Sequence, residues 1–197
     1  MTSKKANVLR EKIRASFGDN AAPEQIPDGA PAAKCANGTF IGKMKGDVAV
    51  FRGIPFAVPP VGELRWKRPE PARASEGIFA AYYNGKSPIQ TEWISERASF
   101  YPQSEDCLYL NVWCAPSGKD LTQGEKAVMV FFHGGSYGWG GTADPLYDGH
   151  NFVKAHPEYQ YIFSYESGKR IYEDVGDLPY THLVADLKRS IGGGFCL

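Results

Sequence analysis

Four cysteines, four histidines and three methionines are all that 197 residues supply of these side chains. None of Cys35, Cys107, Cys114 and Cys196 forms a C-x-x-C pair, which leaves no zinc ribbon and no thioredoxin-like motif. Charge of one sign is also missing. The 22 basic and 22 acidic residues cancel, so no net field gathers nucleic acid or an anionic membrane. No apolar stretch approaches a membrane span, and the opening MTSKKANVLREKIRASF lacks the apolar core of a secretory signal. These absences lead us to expect a cytoplasmic chain with idle thiols, no cofactor or metal, no nucleic-acid partner and no membrane span. No internal repeat is present.

What is present suits one domain: 43% of the residues are hydrophobic, enough for a real core. The first residues read as a basic amphipathic helix, solvated on the surface, with Leu9, Ile13 and Phe17 on one face and Gly18 as its stop. Residues 19–33, rich in Pro, Ala and Asp, read as a linker. Asn37-Gly38 signals a turn, and the runs Thr39–Met44 and Val48–Arg52 predict a hairpin about Lys45-Gly46-Asp47. Residues 51–72 carry Pro55, Pro59, Pro60, Pro69 and Pro71, which deny helix to the stretch. An ordered loop is expected there, with Phe51, Ile54, Phe56, Leu64 and Trp66 packing beneath it. Segment 73–103 is irregular, with Trp93, Phe100 and Tyr101 as anchors.

Residues 108–113, LYLNVW, alternate and predict a half-buried strand with Leu108, Leu110 and Val112 on its inner face. The odd spacing of Cys107 and Cys114 sets them on opposite faces and argues against their pairing. A polar loop, 115–125, leads into Ala127–Phe132, an apolar run without alternation that predicts a central strand buried on both faces. That strand breaks into HGGSYGWGG, residues 133–141, a loop able to turn bare backbone N–H groups towards a cleft. Beyond it come a turn region (Asp144–Gly149), a short helix (Asn151–Ala155) ended by Pro157, and a further strand (Tyr159–Tyr165). A terminal amphipathic helix runs to Ile191, with Leu183, Val184 and Leu187 on its apolar face.

Three separated blocks, FRGIPFAVPPVGELRWKRPEP (51–71), SEDCLYLNVW (104–113) and VMVFFHGGSYGWGG (128–141), resemble the type B carboxylesterase family, which includes cholinesterases and neuroligins. YDGHNFVKAHPE (147–158) is similar to the segment that follows the glycine loop there. The resemblance covers residues 34–158, after a helix and linker over 1–33 and before a divergent tail over 159–197. It implies an α/β class chain: the N-terminal part of an α/β-hydrolase fold, a small β-sheet ahead of the first strands of the main sheet. It also implies serine acyl transfer on a small-molecule carboxylic ester. Carried over by position, the N–H groups of Gly135 and Ser136 form the oxyanion hole, and Gly134 lets the loop turn. Arg52 is expected to pair with Glu105 as a structural ion pair. In secreted relatives the cysteine matching Cys107 is bridged to an upstream cysteine; Cys35 lies too early for that place.

The family's G-E-S-A-G nucleophile elbow does not occur in these residues, nor do its acid and histidine. Gly134-Gly135-Ser136-Tyr137-Gly138 matches G-x-S-x-G, but no helix follows at once, as an elbow requires. His133 reads as a packing residue at the head of the loop. His150 and His156, six apart, suit neither one helical face nor a zinc spacing, and His182 with Asp186 reads as a solvated pair. Losing a nucleophile costs on the order of a millionfold in turnover, whereas one oxyanion donor is worth ~3 kcal/mol. The expectation is an esterase-family chain that is inactive alone, an amino-terminal piece with an unrelated or misread tail ending SIGGGFCL. The alternatives are a non-catalytic cholinesterase-like binding protein and a small hydrolase using Ser136.

Overall fold

The computed structural model describes residues 3–23, 25–90, 99–115, 127–135, 139–157 and 159–164. Ser136, Trp93, His182, Asp186, Cys196 and the expected terminal helix lie outside them. Two sheets organise the chain. Strands β1 (Ala32–Cys35), β2 (Gly38–Ile41) and β5 (Ile78–Ala80) form the small sheet, in the order β1-β2-β5. Strands β3 (Lys43–Lys45), β4 (Val48–Pro55), β6 (Tyr109–Cys114), β7 (Ala127–Phe132) and β8 (Tyr159–Ser164) form the larger one, in the order β3-β4-β6-β8-β7.

The expected run Thr39–Met44 is in fact two strands in two sheets. Gly42 divides it, because the chain crosses there so close to β4 that a Cβ would sit 2.7 Å from the Val50 carbonyl oxygen. The hairpin about Gly46 is therefore β3–β4 alone, and β1 begins inside the stretch read as linker. Strand β4 is itself interrupted at Arg52-Gly53, a bulge against β6. Gly53 sits at φ +68, and a Cβ there would meet the Tyr83 carbonyl oxygen at 2.5 Å.

Strand β6 is not half-buried. Leu110 and Val112 join Phe51, Ile54, Phe40 and Ala33 on one side, between the two sheets. Trp113 packs with Val48, Val50 and Val153 on the other, under α2 (His150–Ala155). Asn111, the polar residue that made the pattern alternate, is 1% exposed. Its amide is fully engaged. Oδ1 accepts from Gly53 N at 2.9 Å, and Nδ2 donates to Asn84 Oδ1 at 2.8 Å. Hydrogen bonding, not solvent, is what admits it to the interior.

The helix α1 (Ser3–Arg14) docks by one face: Ile13 is fully buried beside Phe100, Tyr101 and Ala143, with Leu9 and Phe17 packed on the same cluster. Burying one such side chain contributes ~2 kcal/mol. The turn after α1 is tied down as well, since Asn84 Nδ2 donates to Ser16 Oγ at 2.8 Å. Phe51 and Ile54 are buried as expected under the proline-rich stretch, but Trp66 stands 67% exposed at φ +64. Cys35, Cys107 and Cys114 are buried, Cys107 and Cys114 lying in separate clusters. Among the described residues, no helix is long and apolar enough to cross a membrane.

Candidate functional site

The glycine loop leaves the end of β7. Strand β7 is expected to be central; among the described strands it is the edge of the larger sheet, with β8 between it and β6. Its faces are half-covered. Val128 and Val130 lean on the core between the sheets, Phe131 packs on the α2 side, and Met129 is 39% exposed.

His133 heads the loop. Its Nδ1 lies 2.7 Å from the Gly134 carbonyl oxygen, and since a carbonyl only accepts, Nδ1 carries the proton. Its ring stacks on Tyr147, 6.1 Å between centroids. Burial lowers the His133 pKa, while the bond to Gly134 and the charge of Asp144 partly oppose that shift. The imidazole is thus held neutral as a wall of the loop, in keeping with its reading as a packing residue.

Two glycines face opposite circumstances. At Gly134 an added Cβ would meet nothing within 4 Å, so the chain is bare and open there. At Gly135, φ +136, a Cβ would fall 1.7 Å from the Trp139 carbonyl oxygen. The loop closes on itself at that point, Trp139 N donating to the Gly135 carbonyl at 3.2 Å. Gly140, φ +118, is pressed against the first limb: a Cβ there would stand 2.9 Å from both the Gly134 oxygen and the His133 ring. At Gly141 the near neighbour is the Ser87 hydroxyl, 2.3 Å away by the same measure, a side-chain end that can turn aside. Only glycine fits at Gly135 and Gly140, where backbone stands in the way and φ is positive.

Sequence reasoning missed the residue that holds this loop. Gln90 donates Nε2 to the Gly140 carbonyl at 2.8 Å and accepts Gly140 N–H on Oε1 at 2.8 Å. Gln90 is held in turn, its own N–H donating to Gln103 Oε1 at 3.0 Å. Ser87 and residues 102–104 are joined by backbone bonds, Ser87 N to Pro102 O and Ser104 N to Ser87 O. A lone glutamine in an irregular stretch carries no pattern that would have revealed it. Further along, Thr142 O receives Asn111 Nδ2 at 3.4 Å, and buried Asp144 accepts Tyr101 Oη at 2.9 Å. The loop is thereby fastened to β6 and to the platform on which α1 sits.

The expected Arg52–Glu105 pair does not form. Glu105 Oε2 is taken instead by Arg65 Nη2 at 2.5 Å, while the charge that acts on half-buried Arg52 is that of Asp148. Asp148 accepts from Lys45 Nζ at 3.0 Å and from His150 N at 3.0 Å. Burial pushes its carboxyl up, but these bonds and the charges of Lys45 and Arg52 outweigh burial and hold it below the usual range. His150 opens α2 and His156 caps it, the latter against Phe152 at 5.1 Å between rings. The described residues contain no cluster of three His, Cys, Asp or Glu that could hold a metal.

The carboxylesterase family model matches residues 30–158. Fumonisin B1 esterase of Sphingopyxis macrogoltabida is 43% identical over 106 residues, which are 54% of this chain and 19% of that protein. Para-nitrobenzyl esterase of Bacillus subtilis is 42% identical over 117 residues, 56% of this chain and 23% of that one. The solved carboxylesterase of Geobacillus stearothermophilus superposes with a TM-score of 0.56 at 32% identity, covering 68% of this chain and 26% of that one. The chain thus spans about a fifth to a quarter of the length of these relatives.

Proposed function

This chain belongs to the carboxylesterase family and has part of an α/β-hydrolase fold, and from that premise we propose that residues 133–141 are the oxyanion loop of a serine ester hydrolase. In this reading the N–H groups of Gly135 and Ser136 receive the negative oxygen of the tetrahedral intermediate, and Gly134 keeps the approach clear. The observation that carries it is the contrast within the loop. Gly135 and Gly140 are each pinned against backbone at positive φ, whereas Gly134 opens onto free space at the end of β7. A rigid loop with one bare, open residue can hold donors still while a substrate carbonyl comes close. Preorganised donors of this kind act because they need no reorganisation as charge develops.

Ester hydrolysis also needs a nucleophile, a base and an acid. These 197 residues contain one G-x-S-x-G match, at Ser136, and Asp144-Pro145 rather than a long helix follows it closely. The pKa of His133 is lowered by burial, and its Nδ1 proton is given to Gly134. We therefore assign Ser136 a backbone role and no attack. On its own the chain binds no acyl group covalently and turns over no ester.

A chimera tests the assignment. Residues 51–158 of this chain would replace the matching segment of the Bacillus subtilis para-nitrobenzyl esterase, leaving that enzyme's own nucleophile in place. The chimera is expected to hydrolyse p-nitrophenyl esters, and Gly135→Ala to lower kcat ~100-fold or more. A folded chimera without activity would refute the reading.

A further inference from the structure

The small sheet carries a cavity of about 610 Å³. That size lies within the roughly 300–1,000 Å³ typical of small-molecule sites. No described residue of the stretch 133–141 lines it. Its wall is apolar: Phe40 and Phe79, stacked at 5.6 Å between centroids, face Pro55, Val58 and Pro59 from the proline-rich stretch.

The polar side chains on the lining divide into two kinds. Asn20 accepts from Tyr82 N and Tyr83 N and donates to the Tyr83 carbonyl, so its amide is engaged. Asn37 donates to the Pro55 carbonyl at 2.9 Å and accepts from Cys35 Sγ at 2.8 Å. Ser75 Oγ accepts from Gly77 N at 3.0 Å. Arg73 differs. It lines the cavity, is exposed, and among the described residues has no carboxylate partner or hydrogen-bond acceptor.

An apolar wall beside one uncommitted guanidinium selects a ligand with an apolar body and a single planar anionic head. Guanidinium and carboxylate match as two parallel forks, whereas a phosphate of high charge calls for several donors that this wall lacks. We propose that this cavity is a binding site for an amphipathic carboxylate, its apolar tail against Phe79, Val58 and Pro59 and its head on Arg73. The site is independent of the glycine loop, so its fate does not turn on the esterase reading.

The test is titration of the full chain with the fluorescent fatty acid cis-parinaric acid, followed by displacement with decanoate or decanol. Saturable one-to-one binding is expected, with decanoate displacing the probe about tenfold or more better than decanol. Arg73→Gln should weaken the probe about tenfold or more, and Arg73→Lys less. Ala74→Trp, which fills the cavity from an exposed lining position, should abolish binding. Circular dichroism and Tm unchanged from the parent establish that the variants are folded. Absence of saturable binding would overturn the proposal. So would equal displacement by decanol, or binding that ignores both Arg73→Gln and Ala74→Trp in folded protein.

Discussion

Gln90 holds Gly140 by both of its backbone groups, accepting the N–H and donating to the carbonyl at 2.8 Å each. Gly140 is buried, so neither group has water to fall back on. Gln90→Leu keeps the bulk and removes both bonds. Each buried group left bare costs ~1–3 kcal/mol, and a loss of at least ~2 kcal/mol is expected by urea denaturation. Amide hydrogen exchange at Gly140 should quicken in the same variant; unchanged exchange would show that Gln90 does not fix the loop.

The glycines of the loop should separate sharply on substitution. Gly134→Ala meets open space and is expected to change stability by no more than ~0.5 kcal/mol. Gly135→Ala must relieve both a positive φ and a Cβ driven into the Trp139 carbonyl, so a loss above ~2 kcal/mol follows. Thermal melts of the pair decide it: similar Tm values would mean that the loop is pliable.

Asn111 is a structural linchpin on the buried strand β6. Asn111→Leu leaves Gly53 N–H and Asn84 Oδ1 without the partners they have now. The expected cost is ~2–4 kcal/mol, read as a shifted urea midpoint at constant slope. A neutral result would mean that water replaces the amide.

The pH dependence has a definite sign. Burial lowers the pKa of His133 in the folded chain below its unfolded value, about 6.5. Between those two values the unfolded state binds more protons, so stability rises with pH there. Its contribution is complete above the unfolded pKa and is lost as pH falls through the folded one. Replacing His133 by Phe should flatten the Tm profile below pH 6.5; an unaltered slope would assign that dependence to other groups.

Much of this was legible in the chain, and the misses have physical causes. Gly46 and Pro157 marked a hairpin and a helix end because such residues act locally. Alternation predicts a half-buried strand over 108–113, and the strand Tyr109–Cys114 is buried, since periodicity cannot distinguish a polar residue facing water from one, like Asn111, satisfied inside. The unalternating run Ala127–Phe132 announced burial on two faces, yet its place in the sheet depends on β8, which enters on its inner side. Arg65 and Arg52 are equivalent as charges. Nothing in the spacing tells which of them meets Glu105; in the fold it is Arg65, while Arg52 lies in the field of Asp148. The grip of Gln90 on Gly140 joins residues 50 positions apart, and no local signal reports such a pair.

The most direct measurement is p-nitrophenyl butyrate hydrolysis by the purified, folded chain beside its Ser136→Ala variant, with a fluorophosphonate probe on both. The account predicts no turnover that distinguishes the two and no covalent adduct at Ser136, because the proposed oxyanion role uses the backbone N–H of that residue and not its hydroxyl. Turnover abolished by Ser136→Ala, together with an adduct on Ser136, would contradict it and make this chain a compact hydrolase.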